Sequence, residues 1–169
     1  AGFNLFRRAS SKTVNPTAQG ANLRGLAGSG ASRAEVLLDG LSINDSFGGW
    51  TYWSRVPRAA VQKIEVLRGG ASQFYGASAL SGAIEFSTLE PRENAPVLRL
   101  ETSAGTQNTF DASLFASYTD KTGWGFDAAA ETFKTDGYIP VAETDRGAVD
   151  RRAGSRHDNV FFTVEKRFN

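Results

Sequence analysis

The chain contains no cysteine, no methionine and a single histidine, His157. The first absence excludes disulfides and thiolate metal sites, and one imidazole cannot build a histidine-rich metal centre. Lack of both sulfur residues fits exposure to oxidants. Charge of one sign is also missing: 19 Lys and Arg face 18 Asp and Glu, a formal net charge of +1. That balance gives no electrostatic case for a nucleic-acid partner. No apolar run approaches the roughly 18 residues of a membrane-spanning helix. A membrane reading must therefore go through β-strands, the other structure that satisfies every backbone group in lipid.

What is present is enough for a packed core: 169 residues, 40% hydrophobic and 22% charged, which is one domain, or one domain plus part of another. No signal peptide precedes Ala1, so the chain reads as cut from a longer precursor. Asn169 follows a strand-like run without a closing turn, and a second cut is expected there.

The 18 glycines divide the chain in two. Up to about Leu89 the pattern is mixed. Val36 to Leu38, Asp39-Gly40 and Leu41 to Ile43 read as a hairpin, because Asp-Gly tolerates positive φ. Pro57 suits the first position of a helix running to Ile64, with Val56, Ala60 and Ile64 on one face. Glu65 to Arg68 reads as a strand ended by Gly69-Gly70. A one-turn helix from Ser72 to Tyr75 is expected to stop at a left-handed Gly76, and Gly82 to Thr88 reads as a further strand. Residues 90–96, polar with two prolines, are the linker candidate.

Beyond the linker the period becomes 2. Leu98, Leu100, Thr102 and Ala104 alternate with Arg99, Glu101 and Ser103; Phe110 to Tyr118, Trp124 to Glu131 and Val160 to Glu165 continue in the same way. A soluble sheet with one wet face shows this alternation too. Three features favour a membrane barrel wall. About 10 residues per strand, tilted, span the ~25 Å apolar band of such barrels. Aromatics (Tyr118, Trp124, Phe168) stand near strand ends, where interface girdles belong. A tight turn at 120–123 contrasts with a long polar loop from Thr135 to Asn159.

Several stretches, in order, resemble the plug of TonB-dependent outer-membrane receptors. Leu23-Arg24-Gly25 is similar to the family's early Arg-Gly strand, and Val36 to Gly40, with Ile43-Asn44-Asp45 behind it, to its "LVLVDG" segment. Val56-Pro57 through Gly69 resembles "IPxxxIExIEVxRGP", and Tyr75 to Ile84 resembles "YGxxAxGGxIN". The chain departs from the pattern at Gly70, Ser81 and Glu85, where the family usually has proline, glycine and asparagine. The resemblance implies an α+β plug domain of short mixed strands and short helices, followed by antiparallel transmembrane β-barrel strands of an incomplete barrel. It places the plug in 1–89 with its N-terminal part missing, the linker in 90–96, and about four strands, of a barrel needing about 22, in 97–169. It implies a bacterial outer-membrane receptor that binds a scarce nutrient (siderophore-iron, cobalamin, haem or carbohydrate) and imports it by energy-driven plug movement. The implied partners are the TonB protein, through a segment upstream of Ala1, membrane lipid and the small nutrient. No cofactor, metal, nucleic acid or covalent chemistry is implied. A soluble or surface binding or structural β-protein remains the alternative.

Two groups of site residues follow. Arg24, Glu65 and Arg68, inside the plug motifs, are candidates for ion pairs that hold the plug to the barrel wall, or else they solvate a strand face. Two glycine-rich or aromatic loops correspond to apical ligand-contact loops in the family. Ser29 and Arg33 belong to the first; Asn44, Asp45, Phe47, Trp50, Tyr52 and Trp53 belong to the second. Aromatic faces with polar handles suit catechol, porphyrin, corrinoid or sugar surfaces, but they serve equally well as packing. Enzyme motifs fail: Gly76 to Leu80 lacks the closing glycine of a nucleophile elbow, Gly28 to Arg33 misses the dinucleotide fingerprint, and Ala77 stands where a phosphate loop needs lysine.

Overall fold

The computed structural model describes residues 3–6, 10–24, 32–90 and 95–167, and they form two compact units. The first comprises residues 1–56 and 61–89; the second comprises 57–60 and 90–169.

In the first unit, β1 (Phe3–Phe6) and β2 (Gly20–Leu23) form an antiparallel pair. A four-stranded sheet contains β3 (Ala34–Leu38), β4 (Leu41–Ser42), β5 (Val61–Arg68) and β6 (Gly82–Thr88) in the order β4-β3-β6-β5. β3 runs parallel to β6 and is buried along its whole length, as expected of an apolar central strand in such a pairing. The Asp39-Gly40 turn has φ of 48° and 78°, the positive pair that a tight hairpin requires. Its exposed amide is satisfied by Glu85, whose Oε1 accepts the Gly40 N–H at 2.8 Å. Ser81, fully buried, likewise accepts the Leu23 N–H at 3.1 Å. Two of the three departures from the family pattern thus serve backbone hydrogen bonds.

The helix expected from Pro57 to Ile64 does not form. Only Arg58–Ala60 makes a 3-10 turn, and the chain is already in β5 at Val61. A spacing of four between Val56, Ala60 and Ile64 is also a multiple of two, so it fits a strand as well as a helix, and Val61, Ile64 and Val66 are β-branched. α1 (Ser72–Tyr75) is the one-turn helix expected, but Gly76 has φ 79° and ψ −172°. That is the extended positive-φ region open essentially to glycine, not the left-handed helical well.

The second unit is a sheet of β7 (Val97–Gly105), β8 (Thr109–Thr119), β9 (Trp124–Thr135) and β10 (Ser155–Lys166), in the order β10-β9-β8-β7 and antiparallel throughout. β9 and β10 are longer than the hydrophobic alternation indicates, with Thr135 paired to Ser155, so the long loop shrinks to 136–154. The short turn at 106–108 lies at the same end, with the Asp136 N–H donating to the Gln107 carbonyl at 2.9 Å. Connection length therefore does not alternate strictly between the two ends. Asp120 shapes the opposite turn by accepting the Thr122 and Trp124 N–H groups at 2.8 and 2.9 Å. Phe168, expected at a strand end, lies outside the described residues.

The cross-strand register sorts the outward side chains into rows. Leu98, Ala116, Ala128 and Phe162 form one row, and Leu100, Leu114, Ala130 and Val160 the next. Leu98 is 74% exposed and Phe162 63%, and Leu114 and Phe126 are exposed as well. On the other face Ser113, Ser117, Asp127 and Phe115 are buried. A sheet in water does the reverse, covering its apolar face and wetting its polar one. Two bare rows of leucine, valine and phenylalanine instead match a wall with hydrocarbon outside.

Candidate functional site

Two side-chain assemblies stand out, one in each unit. In the first unit, residues 44–51 form a closed loop. An isolated bridge joins Asn44 to Thr51, and the Asp45 N–H donates to the Trp50 carbonyl at 2.7 Å. Asp45 organises the tip: its Oδ1 accepts the N–H groups of Phe47 and Gly48 at 3.0 and 2.7 Å, an Asx turn. The Tyr52 hydroxyl donates to its other oxygen at 3.4 Å, and Arg55 lies over the Tyr52 ring at 4.3 Å. The Gly48 N–H holds the Asp45 carboxyl below its ordinary value of 3.8; partial desolvation opposes this, and the Phe47 N–H, Tyr52 hydroxyl and Arg55 charge add to it.

The four aromatics of this loop have different duties. Trp53 packs edge-on against Phe86 at 6.3 Å, and Trp50 against Tyr52 at 6.5 Å. Gly48 lies so close to the Trp50 ring that any β-carbon there would overlap it. Phe47 alone among them is presented outright, 98% exposed at the tip. Asn44 faces inward, donating from Nδ2 to the Ala34 carbonyl at 3.0 Å. Arg33 anchors the base through its backbone, its N–H shared between the Ala21 carbonyl and Asn22 Oδ1, with its side chain exposed. Ser29 lies outside the described residues.

Of the three ion-pair candidates, Glu65 stands opposite Glu85 on β6 and pairs with Lys63 of its own strand at 2.9 Å. Arg24, with φ 63°, and Arg68 are exposed, and neither forms an ion pair among the described residues.

The second assembly was not anticipated from the sequence. Within the second unit, Arg58 donates through Nη2 to Asp111 at 2.7 Å and through Nε to Glu131 at 3.2 Å. Its backbone N–H reaches the same Glu131 oxygen at 3.0 Å, and the Ser113 hydroxyl donates to it as well, at 3.0 Å. Arg99 adds a bond from Nη1 to the Ala59 carbonyl at 3.3 Å. Three neighbouring strands thus converge on one turn. Both carboxylates are largely shielded whereas the guanidinium is nearly half exposed, so the pair lies between the surface and the buried regime. A faint signal existed: Asp111 and Glu131 occupy the polar parity of β8 and β9, and buried carboxylates require a cation.

No group of three or more metal-ligating His, Cys, Asp or Glu side chains occurs among the described residues. Comparison with known proteins settles what this arrangement belongs to. Residues 1–83 match the family model described as the TonB-dependent Receptor Plug Domain. This segment belongs to the TonB-dependent receptor plug family. Over 64 residues it is 34% identical to the Vitamin B12 transporter BtuB of Vibrio vulnificus (strain YJ016), a match covering 38% of this chain and 10% of that protein. Among solved structures, the ferric yersiniabactin uptake receptor FyuA of Yersinia pestis is similar with a TM-score of 0.61 and 22% identity, covering 94% of this chain and 24% of that one. The ferric citrate transporter FecA in its unliganded form gives 0.65 at 18% identity, covering 98% and 24%. The copper transporter OprC gives 0.59 at 23%, covering 81% and 20%. At these identities the structural likeness concerns the fold, a plug followed by barrel strands. The chain spans about a tenth of its curated relative and about a quarter of FyuA and FecA. Its place is the bacterial cell outer membrane, and the proteins it resembles are receptors and transporters.

Proposed function

We propose that residues 1–89 act as the plug, and 97–169 as the opening wall strands, of a receptor that binds a scarce nutrient and imports it by energy-driven plug movement. The reading rests on a plug-family segment followed by a wall whose apolar rows face outward. Siderophore-iron, cobalamin, haem and carbohydrate are the candidate nutrients, and TonB, engaged through another segment, delivers energy from the inner membrane. No bond of the nutrient is made or broken.

In this reading loop 44–53 is the ligand-facing surface, with Phe47 as its contact and Asp45, Trp50, Tyr52 and Trp53 as the frame. Arg33, with its exposed side chain, supplies a neighbouring polar group. Arg24, Glu65 and Arg68 are the proposed release points of the plug, whereas Arg58 fastens its own turn to β8 and β9 within the second unit. An exposed charge-assisted pair holds its partners at rest and still breaks under applied work.

Uptake of labelled ferric siderophore and labelled cobalamin by cells carrying the natural protein, with and without TonB, tests the proposal. Uptake of either that stops when TonB is deleted supports it; surface binding with no TonB-dependent entry of any candidate nutrient argues for a binding or structural role. Phe47→Ala is expected to weaken nutrient binding about tenfold, the scale of one well-buried aromatic contact. Unchanged affinity in Phe47→Ala and Trp50→Ala would remove this loop from the binding surface.

A further inference from the structure

The turn at residues 57–60 is plug by sequence and wall by structure. It lies inside the plug-family match, which runs to residue 83, yet it belongs to the same compact unit as the wall strands. Pro57, Ala59 and Ala60 are buried. The Arg58 backbone N–H and Nε both donate to Glu131 Oε1, and its Nη2 donates to Asp111. Arg99 of β7 donates to the Ala59 carbonyl. Backbone and side-chain bonds therefore fasten one turn to three wall strands. The Asp111 and Glu131 side chains are only 12% and 8% exposed, and taking the cation away from shielded carboxylates is strongly unfavourable.

The proposed release points are held far less firmly. Glu65 and Lys63, paired on one strand, are both more than half exposed, and such pairs contribute little. Arg24 and Arg68 are exposed and form no ion pair among the described residues. β5 begins at Val61, directly after the turn, and its register with β6 slips between Val61 and Lys63. A strand bends where its ladder is interrupted in this way. Val61 also pairs with Thr88, so the end of β6, from which the chain runs on to β7, stands beside the start of β5. Both covalent paths to the wall thus leave the β5–β6 ladder at one end, next to the break in its register.

We propose that the 57–60 turn stays on the wall when the plug is displaced, so that the plug swings about this point instead of leaving the wall whole. The inference rests on the plug reading above. Load applied upstream travels along the backbone and meets Arg58 before it reaches β5. The weak contacts at Arg24, Glu65 and Arg68 yield first, and the sheet swings at the irregularity after Val61. Arg58 is a positioning residue in this scheme: it touches no nutrient, and it sets how much chain can be drawn out.

Force spectroscopy on the natural receptor containing this chain, held in a bilayer without nutrient or TonB, tests the anchor separately from import. A handle at Thr17→Cys is pulled away from the face that TonB approaches. The chain should draw out by about 140 Å, the span of residues 17–57 at ~3.5 Å each, and stop there. A second, separate event should carry it to about 280 Å, the span to the start of β7. Arg58→Gln should remove the stop, so that extension passes straight to about 280 Å. Lys63→Gln, which loses a pair outside the turn, should keep the stop in place. Extension of the otherwise unaltered receptor past about 140 Å without a stop would overturn the proposal, and this result decides even where Arg58→Gln does not assemble. A stop that survives Arg58→Gln, or that Lys63→Gln removes equally, would overturn it as well. Absence of nutrient import would count against the transport reading and leave the extension result standing.

Discussion

Asp45 carries the conformation of the aromatic loop on one carboxylate. Because its folded pKa lies below the ordinary 3.8, its stabilisation is complete above pH 3.8 and is lost as pH falls through the folded value. The Trp50 and Trp53 fluorescence should therefore hold steady from neutral pH down to about 4 and change only below it. In Asp45→Asn, which keeps one acceptor oxygen but loses the charge, that acid transition should disappear. A wild-type transition centred well above pH 4 would assign the loop's acid sensitivity to another group. Arg58 acts at the same scale. Removing it leaves Asp111 and Glu131 shielded without their guanidinium, and its half exposure sets the cost between the surface and buried cases, on the order of 2 kcal/mol. Urea unfolding of Arg58→Ala should show that loss, and Asp111→Asn with Arg58→Gln should recover part of it. Full stability in Arg58→Ala would make the cluster incidental. Little of the Arg58 cluster was legible in the sequence beyond the polar parity of Asp111 and Glu131, since Arg58 lies 53 and 73 positions from its partners. The aromatic cluster was visible there, but not the division of labour that leaves Phe47 alone at the tip.

At the scale of elements, legibility follows the solvent. Where one face meets hydrocarbon, period-2 alternation is enforced residue by residue, and β7, β8 and the apolar part of β9 and β10 could be read directly. At the long-loop end the outward residues turn polar (Thr132, Lys134, Arg156, Asp158), the alternation disappears, and the strands outlast their signal. Residues 57–64 misled for a different reason: spacing of four satisfies both periods, and nothing local separates a helix from a strand there. In the wall, parity decides the effect of a substitution. Leu114→Arg, outward in an apolar row, should destabilise the folded receptor in bilayers by about 2–4 kcal/mol near the midplane. Ser113→Ala, one residue away and facing inward, should cost about 1 kcal/mol through its lost bond to Glu131. Reversible unfolding in lipid vesicles measures both, and equal costs would mean that the two faces meet the same medium.

At the scale of the whole molecule, the account reduces to an inside-out sheet joined to a plug-family segment. Composition could not reveal this, because an inverted wall has an ordinary hydrophobic content. The arrangement is expressed only in which parity is exposed. The absence of cysteine from this chain makes the direct test clean, because each introduced thiol here is unique among its 169 residues. Spin labels placed singly at positions 112–118 of β8 in the natural receptor, reconstituted in bilayers, would report collision with oxygen dissolved in lipid and with a water-soluble nickel chelate. The account predicts that oxygen accessibility peaks at Leu114 and Ala116 and drops at Ser113, Phe115 and Ser117, with a period of two. Nickel accessibility at Leu114 equal to or above that at Ser113, or an oxygen profile without that period, would contradict it.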